Sequence, residues 1–564
     1  MARKHDRVEK LETPNSKLQE NLKSQAPNLP RRSLLTLKFG AWSLVFGACL
    51  LPLLPSASAQ SPAFRWVTKA GGATNDYGYG IAADSAGNSY VAGSFNGSAA
   101  FGETSLTGQG GDDIFIAKYD NGGNLIWARG AGGAANDAAS AVAVDGSGNC
   151  YVTGFFQGTA TFGTANLVSA GGPDVFIAKY DPTGNLLWAK SAGGSSDDRG
   201  YAIAVDGSAN VFVAGAFNNT AAFGPTNLSA AGSFDVFVAK YDSTGQLLWA
   251  RRAGGSLDDY GTGIAVDNSG NCYLAGHFGS PVATFDTVTL TNRGGRDVFI
   301  AKYGSAGNLV WVRQAGGSDY DVATAIAADG AGNSYVAGYF YGTATFGSSQ
   351  ITSTGLSDIF TAKYDSNGNP LWVSNAGGAG DDYAYGVALN SAGNCFVTGG
   401  FSGTATFGNS TFTGGGILVL NYDSPNHLAW AKQAARDAGE DYGFAIATDP
   451  GGNCYLTGYL EGNPCTFDNI ALSSTSGADI YVARLDVTST TSRPPQLSLR
   501  LSGNQVIISW PTNNAAGLNL YYASSASGPA TWNPMPAPSL SGGQYVVTDS
   551  ATARARFYRL DSQP

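Results

Sequence analysis

Tryptophan recurs at Trp66, Trp127, Trp188, Trp249, Trp311, Trp372 and Trp430, in steps of 61, 61, 61, 62, 61 and 58 residues. A period of this length kept over most of a chain marks a repeat architecture, in which each copy buries its apolar face on the next. The copy at 174 to 215, DVFIAKYDPTGNLLWAKSAGGSSDDRGYAIAVDGSANVFVAG, is written most cleanly.

Each period holds four short strand patterns, which in the third copy read YAIAVD, NVFVAG, DVFIAKYD and NLLWAK. The first two are joined by Asp206, Gly207, Ser208, Ala209 and Asn210, the last two by Asp181, Pro182, Thr183, Gly184 and Asn185. Asp opening a turn with Gly three residues on suits a type I turn, so both junctions predict tight hairpins. Four antiparallel strands repeated seven times predict an all-β fold, a seven-bladed β-propeller, because radial repetition leaves only short sheet edges. The first strand of each copy belongs at the axis: Gly78, Gly80, Ala82 and Ala83, like Ala139, Ala141 and Ala143, are small where backbones converge. The last copy has DIYVARLD at 479 to 486 but no tryptophan strand after it, so FRWVTKA from Phe64 is expected to complete it from the N-terminal side.

The pattern AIAVDGSGNCYVTG at 141 to 154, followed by DVFIAKYDPTGNLLW at 174 to 188, resembles the bacterial beta-propeller repeat family abbreviated SBBP. The likeness covers about residues 64 to 486 and implies the fold; it says little about activity, because a fold hosts unrelated sites. KYDPTGNLLW also resembles the tryptophan hairpin of pyrroloquinoline quinone propellers. That family has shorter blades, and no vicinal cysteine pair or cofactor motif occurs in this chain. No cofactor is expected, and the tryptophans are read as packing between blades.

The boundaries follow from composition. Residues 1–59 form a basic leader and signal peptide: polar to about residue 30, then an apolar run after Arg31 and Arg32 that ends in Ala57, Ser58 and Ala59, a signal-peptidase pattern. The protein is therefore expected outside the cytoplasm, in the cell envelope or extracellular; an uncleaved signal segment would be its one tie to a membrane. Residues 60–486 are the propeller and 487–496 a Ser, Thr and Pro linker. Residues 497–564, with LSLRLSGNQVIISWP, LNLYYASS, YVVTD and ARFYRL, resemble a small fibronectin type III-like β-sandwich.

The whole chain carries 32 Lys and Arg against 42 Asp and Glu, a net charge of −10. Residues 1–59 hold nine of the former and four of the latter, so the processed chain has 23 against 38, near −15. Such a balance disfavours nucleic acid and anionic membrane as partners. A monomer that meets a glycan or an envelope protein is expected.

Chemistry-bearing residues are sparse. Cys150, Cys272, Cys395 and Cys454 open the second strand in four different copies, too far apart to bridge; only Cys454 with Cys465 is a disulfide candidate. His277 and His427 are the histidines beyond the leader, His277 read as a variable loop residue and His427 as part of a hairpin turn. Neither has the Ser and Asp setting of a nucleophilic triad, and no metal-ligand spacing occurs. No catalytic residue and no metal site is assigned. The expected role is a non-catalytic binding or scaffold module; the alternative is a propeller-based hydrolase, lyase or quinone-dependent oxidoreductase.

Two sets of residues are position-specific. Asp76, Asp137, Asp198, Asp259, Asp321, Asp382 and Asp441 stand just before the innermost strands, one per copy. They predict a carboxylate ring at the channel mouth, either capping loop amides or facing a cation. The next residue varies, and Tyr77, Arg199, Tyr260, Tyr383 and Tyr442 are expected either to mark a recognition face, since tyrosine gives contact area with a polar tip, or to pack against the neighbouring loop. The same face carries the long segments between second and third strands, such as 155 to 174.

Overall fold

The computed structural model describes residues 62–487, apart from 424–426, 435–440, 462–463 and 475–476, together with strands lying between 498 and 561. The leader and signal segment lie outside the described residues. Every regular element described is a β-strand. No described helix is long and apolar enough to cross a membrane.

The architecture is all-β with propeller-like repeats. In the third copy Asp198–Val205, Val211–Phe223, Thr226–Tyr241 and Leu247–Gly254 pair in that order, each antiparallel to the one before. The same plan starts at Tyr77–Ala83, Ala138–Val144, Asp259–Val266, Asp321–Ala328, Asp382–Leu389 and Tyr442–Thr448. The copy that starts at Tyr442 takes its fourth strand from the other end of the repeat region. Ala63–Gly72 pairs antiparallel with Asp479–Asp486, with Val67 opposite Ala483 and Ala70 opposite Ile480. First strands pack each on the next, and Tyr442–Thr448 packs on Tyr77–Ala83. Small residues permit that approach: a Cβ added to Gly80 would lie 2.8 Å from Ala141 Cα, and one added to Gly263 3.0 Å from Ala325 Cα.

The tight turns follow the Asp-to-Asn pattern. Asp84 N donates to Asn88 O at 2.9 Å, and Asp84 Oδ1 accepts from the amides of Ala86 and Asn88. The fourth position needs a left-handed backbone, and Gly87, Gly148 and Gly184 supply it at φ near +80°. In the third copy Ala209 stands there at φ +62°. Tryptophan ties each copy to the next turn: Trp127 Nε1 donates to Pro182 O at 3.1 Å, Trp188 to Ser243 O at 3.2 Å and Trp249 to Ser305 O at 3.1 Å.

The long segments between second and third strands fold as β-hairpins, and the disulfide expectation is corrected. Thr159–Phe162 pairs with Ala165–Val168, and the fourth strand of the preceding copy pairs with it in turn, Ala131 opposite Phe162. The same hand-over joins Gly193 to Ala222, Ala253 to Phe285 and Gly316 to Thr345. Cys454 and Cys465 are both free. Cys454 opens a strand that runs to Leu460, about 20 Å away at about 3.3 Å per residue, and Cys465 lies beyond that far end. All five described cysteines are buried.

The C-terminal strands make two small antiparallel sheets. Ser498–Ser502, Gln505–Pro511, Gln544–Ser550 and Ser539–Ser541 form one; Asn533–Pro534, Asn519–Ala523 and Phe557–Asp561 form the other.

Candidate functional site

A cavity of about 200 Å³ is lined by the first strands of all seven copies. Each of those strands skips one residue in its register with the second strand, a β-bulge. The skipped residues are Tyr79, Ser140, Tyr201, Thr262, Thr324, Tyr385 and Phe444, and all seven line the cavity. A bulge frees one residue from the ladder and re-aims its side chain. The ring is therefore built by the backbone, while its chemistry is free to differ from copy to copy.

The sequence reading missed these seven. The signal was present as a variable residue between two small ones: Gly78-Tyr79-Gly80, Ala139-Ser140-Ala141, Gly200-Tyr201-Ala202 and their counterparts. One side of the cavity is aromatic, with Tyr79 and Phe444 stacked at 5.5 Å and Tyr385 edge-on to Phe444 at 5.4 Å. The other is hydroxylic, where Thr262 donates to Ala323 O at 2.7 Å and Thr324 to Ala384 O at 2.8 Å. Burial pushes the phenols of Tyr79 and Tyr201 up to about 12, so they stay neutral hydrogen-bond donors.

The five residues of the expected recognition face fall into two groups around this cavity. Tyr77, Tyr383 and Tyr442 join the aromatic side. Tyr77 meets Tyr459 at 5.2 Å and Tyr79 at 5.7 Å, Tyr383 meets Tyr339 at 4.8 Å, and Tyr442 meets Tyr385 at 5.8 Å. Tyr260 and Arg199 form the second group: Tyr260 stacks on Phe234 at 5.7 Å and lies 6.3 Å from Tyr201, and Arg199 lies over Phe155 at 4.6 Å. All five are half-buried, each presenting part of its surface to solvent.

The seven aspartates are withdrawn from the mouth, and of the two roles expected for them the hydrogen bonds are those of capping loop amides. Six of the seven side chains have no exposed surface, and Asp441 has 2%. Four of them span a gap in the backbone: Asp137 Oδ2 accepts from Gly133 N at 2.7 Å and Oδ1 from Gln157 N at 2.9 Å. Asp76, Asp198 and Asp259 repeat the arrangement. The amides that would otherwise be orphaned at the end of one copy and in the second strand of the next are satisfied by one carboxylate. Asp441 accepts from Glu461 N at 2.8 Å.

A second set of buried carboxylates lies on the third strands: Asp174, Asp297 and Asp479 open theirs, Asp113, Asp235 and Asp358 hold the equivalent place within longer strands, and Gly416 stands there in the sixth copy. Each pair drawn from the two sets flanks the first glycine of a Gly-Gly step. Burial, opposed by the accepted amides, raises Asp76, Asp137, Asp174 and Asp259 to about 6 and Asp198, Asp321 and Asp382 to about 7. The neighbouring carboxylate adds to the shift in Asp76, Asp137, Asp198, Asp259, Asp321 and Asp382. Among the described residues no cluster of three or more His, Cys, Asp or Glu is placed to hold a metal.

His277 is not a loop residue. It sits in the strand Cys272–Phe278, opposite Tyr260 in one neighbour and Val298 in the other, and is 6% exposed. The register sets it opposite Tyr260, with the two rings 5.3 Å apart. His427 lies at the start of a strand, exposed, 3.4 Å from Asp423.

The SBBP beta-propeller repeat matches residues 65–98, 248–277 and 310–339. An uncharacterized WD repeat-containing protein of Acanthamoeba polyphaga mimivirus is 26% identical over 421 residues, covering 60% of this chain and 30% of that protein. The regulatory protein FlaEY of Caulobacter vibrioides is 30% identical over 142 residues, covering 24% of this chain and 15% of its own length. The chain thus spans less than a third of each of these relatives. Among solved structures, a puromycin hydrolase aligns over 78% of this chain and 59% of its own at 9% identity and a TM-score of 0.33. Citrobacter koseri AztD aligns over 67% and 96% at 8% identity and a TM-score of 0.25. Alongside the strand plan and the Asp-to-Asn turns, three segments of this chain are thus similar to the SBBP beta-propeller repeat.

Proposed function

We propose that residues 64–486 close into a seven-bladed β-propeller that serves, outside the cytoplasm, as a non-catalytic binding module. Its ligand surface is the channel ring and the tyrosine-bearing face around it, and its partner is a glycan or an envelope protein. The observation that carries this reading is the bulge ring. Seven copies spend one residue each on a shared cavity, and those residues differ in kind where the turns stay alike.

A near-symmetric scaffold with an asymmetric lining suits recognition, since half-buried tyrosines bind with little loss of side-chain freedom. The buried histidine, the amide-capping aspartates and the buried cysteines are all committed to structure, which supports a role without catalysis. We assign residues 497–564 the part of a fibronectin type III-like spacer. The test is a binding screen of the full chain against immobilised glycans and envelope extracts, with Tyr385→Ala and Phe444→Ala as variants. Retention lost in both variants supports the reading, and unchanged retention rejects it.

A further inference from the structure

One arginine against the tyrosine-bearing face has no carboxylate of its own. Arg296 takes part in none of the ion pairs among the described residues. Its Nη1 donates to His277 Nε2 at 3.3 Å, and its guanidinium lies 5.7 Å from the Tyr260 ring and 5.9 Å from the Tyr320 ring. Arginine only donates, so His277 Nε2 is the acceptor and its proton sits on Nδ1. Burial first, and then the Arg296 charge, lower His277 to about 3, so the imidazole stays neutral and serves as a fixed strut. Arg296 itself remains partly exposed.

The neighbouring copy adds a second cation. Arg199 lies over Phe155 and is 3.3 Å from Asp197, and the charges of both arginines act on the Tyr260 hydroxyl. Tyr260 leads on to Tyr201 in the cavity wall. Arg129, Arg251 and Arg313 also stack on rings outside the ion pairs, but backbone carbonyls take up their N–H groups. Among the described residues the side chain of Arg296 instead has His277 as its acceptor, in a chain of net charge −10. The planar fork of a guanidinium matches a carboxylate through two parallel hydrogen bonds.

We propose that Arg296, with Tyr260 and Arg199 beside it, receives the carboxylate of an acidic sugar whose ring faces stack on the tyrosines of the mouth. This rests on the glycan-binding reading above and names its substrate class. Asp197, Asp258 and Asp319 rim the same place, Asp258 acting against the arginines on Tyr260. Together with the net charge they disfavour a polyanion, so the ligand carries an isolated or terminal uronate in an otherwise neutral oligosaccharide.

The test uses the full chain and a panel of oligosaccharides sharing one neutral backbone, ended by a uronate, its methyl ester, a phosphate, a sulfate or a neutral sugar. The expected result is at least tenfold tighter binding of the uronate than of its methyl ester. Arg296→Gln should bring the two level, and Arg296→Lys should restore only part of the difference. Arg199→Gln, which leaves the His277 strut intact, gives the same test should Arg296→Gln fail to fold. Equal binding of uronate and ester overturns the inference while leaving a sugar-binding role intact, as does a preference for phosphate or sulfate. No binding of any member overturns both.

Discussion

Asp174 and Asp198 face each other across Gly193, so that a Cβ placed on the glycine would lie 2.7 Å from Asp174 Oδ1 and 2.9 Å from Asp198 Oδ2. Both carboxyls are buried, at 3% and 0% exposure. Gly193 has φ +156°, and Gly71, Gly132, Gly254 and Gly316 hold the same place at +141° to +145°. In six copies one glycine, Gly377 being the sixth, thus makes room for two carboxyls.

These pairs make stability pH-dependent in an unusual direction. Burial raises Asp174 to about 6 and Asp198 to about 7 in the fold, against 3.8 for an ordinary aspartate. The folded chain therefore holds more protons than the unfolded one between about pH 4 and 7. Their stabilising contribution is complete below the unfolded value and is lost as pH rises through 6 to 7. The midpoint of thermal unfolding should rise on going from pH 8 to pH 5, and Asp198→Asn should flatten that slope. A midpoint that falls steadily over the same range would show that the pairs are ionised throughout.

Gly193→Ala should destabilise by about 2 kcal/mol or more, because the new methyl meets two carboxyls in a backbone region that alanine resists. Gly207→Ala is the control, since a Cβ there meets nothing within 4 Å. Chemical denaturation compares the two directly.

Ala209→Gly should stabilise by roughly 1 kcal/mol. Ala209 holds φ +62° where the equivalent turns use glycine, and a left-handed alanine costs about 1 kcal/mol. Added flexibility of the unfolded chain offsets part of this gain. A lower denaturation midpoint for the glycine variant would contradict the turn geometry.

Much of this organisation is legible in the sequence. Trp188 marks its strand because an indole that donates to Ser243 O of the next copy recurs wherever the contact does. Asp206 and Asn210 mark their turn because an Asx cap needs those side chains at that spacing. Tyr79 was hidden for a different reason. Strict alternation puts Tyr77, Tyr79 and Ile81 on one face, and only the register slip between Gly78 and Gly80 shows that the pattern breaks at Tyr79. The pairing of Asp174 with Asp198 was hidden as well, since residues 24 apart meet only once the third strand of one copy lies beside the first strand of the next.

Deleting residues 63–70 should cost more stability than removing 497–564. The deletion leaves Asp479–Asp486 an unpaired edge and strips Phe64 from a core that includes Phe467 and Leu485. Loss of a cooperative transition, or aggregation, is expected for the first variant, and a retained transition for the second. Equal thermal midpoints would contradict closure by the N-terminal strand.

The most direct test of the binding account compares two sets of substitutions for the same retained ligand. Tyr260→Ala and Tyr383→Ala alter the face around the cavity; Asp206→Ala and Asn210→Ala alter a turn in the tight-turn set. The account predicts at least tenfold weaker binding for the tyrosine variants at unchanged thermal midpoints, and full binding for the turn variants. Equal losses from both sets, or full binding by the tyrosine variants, would contradict it.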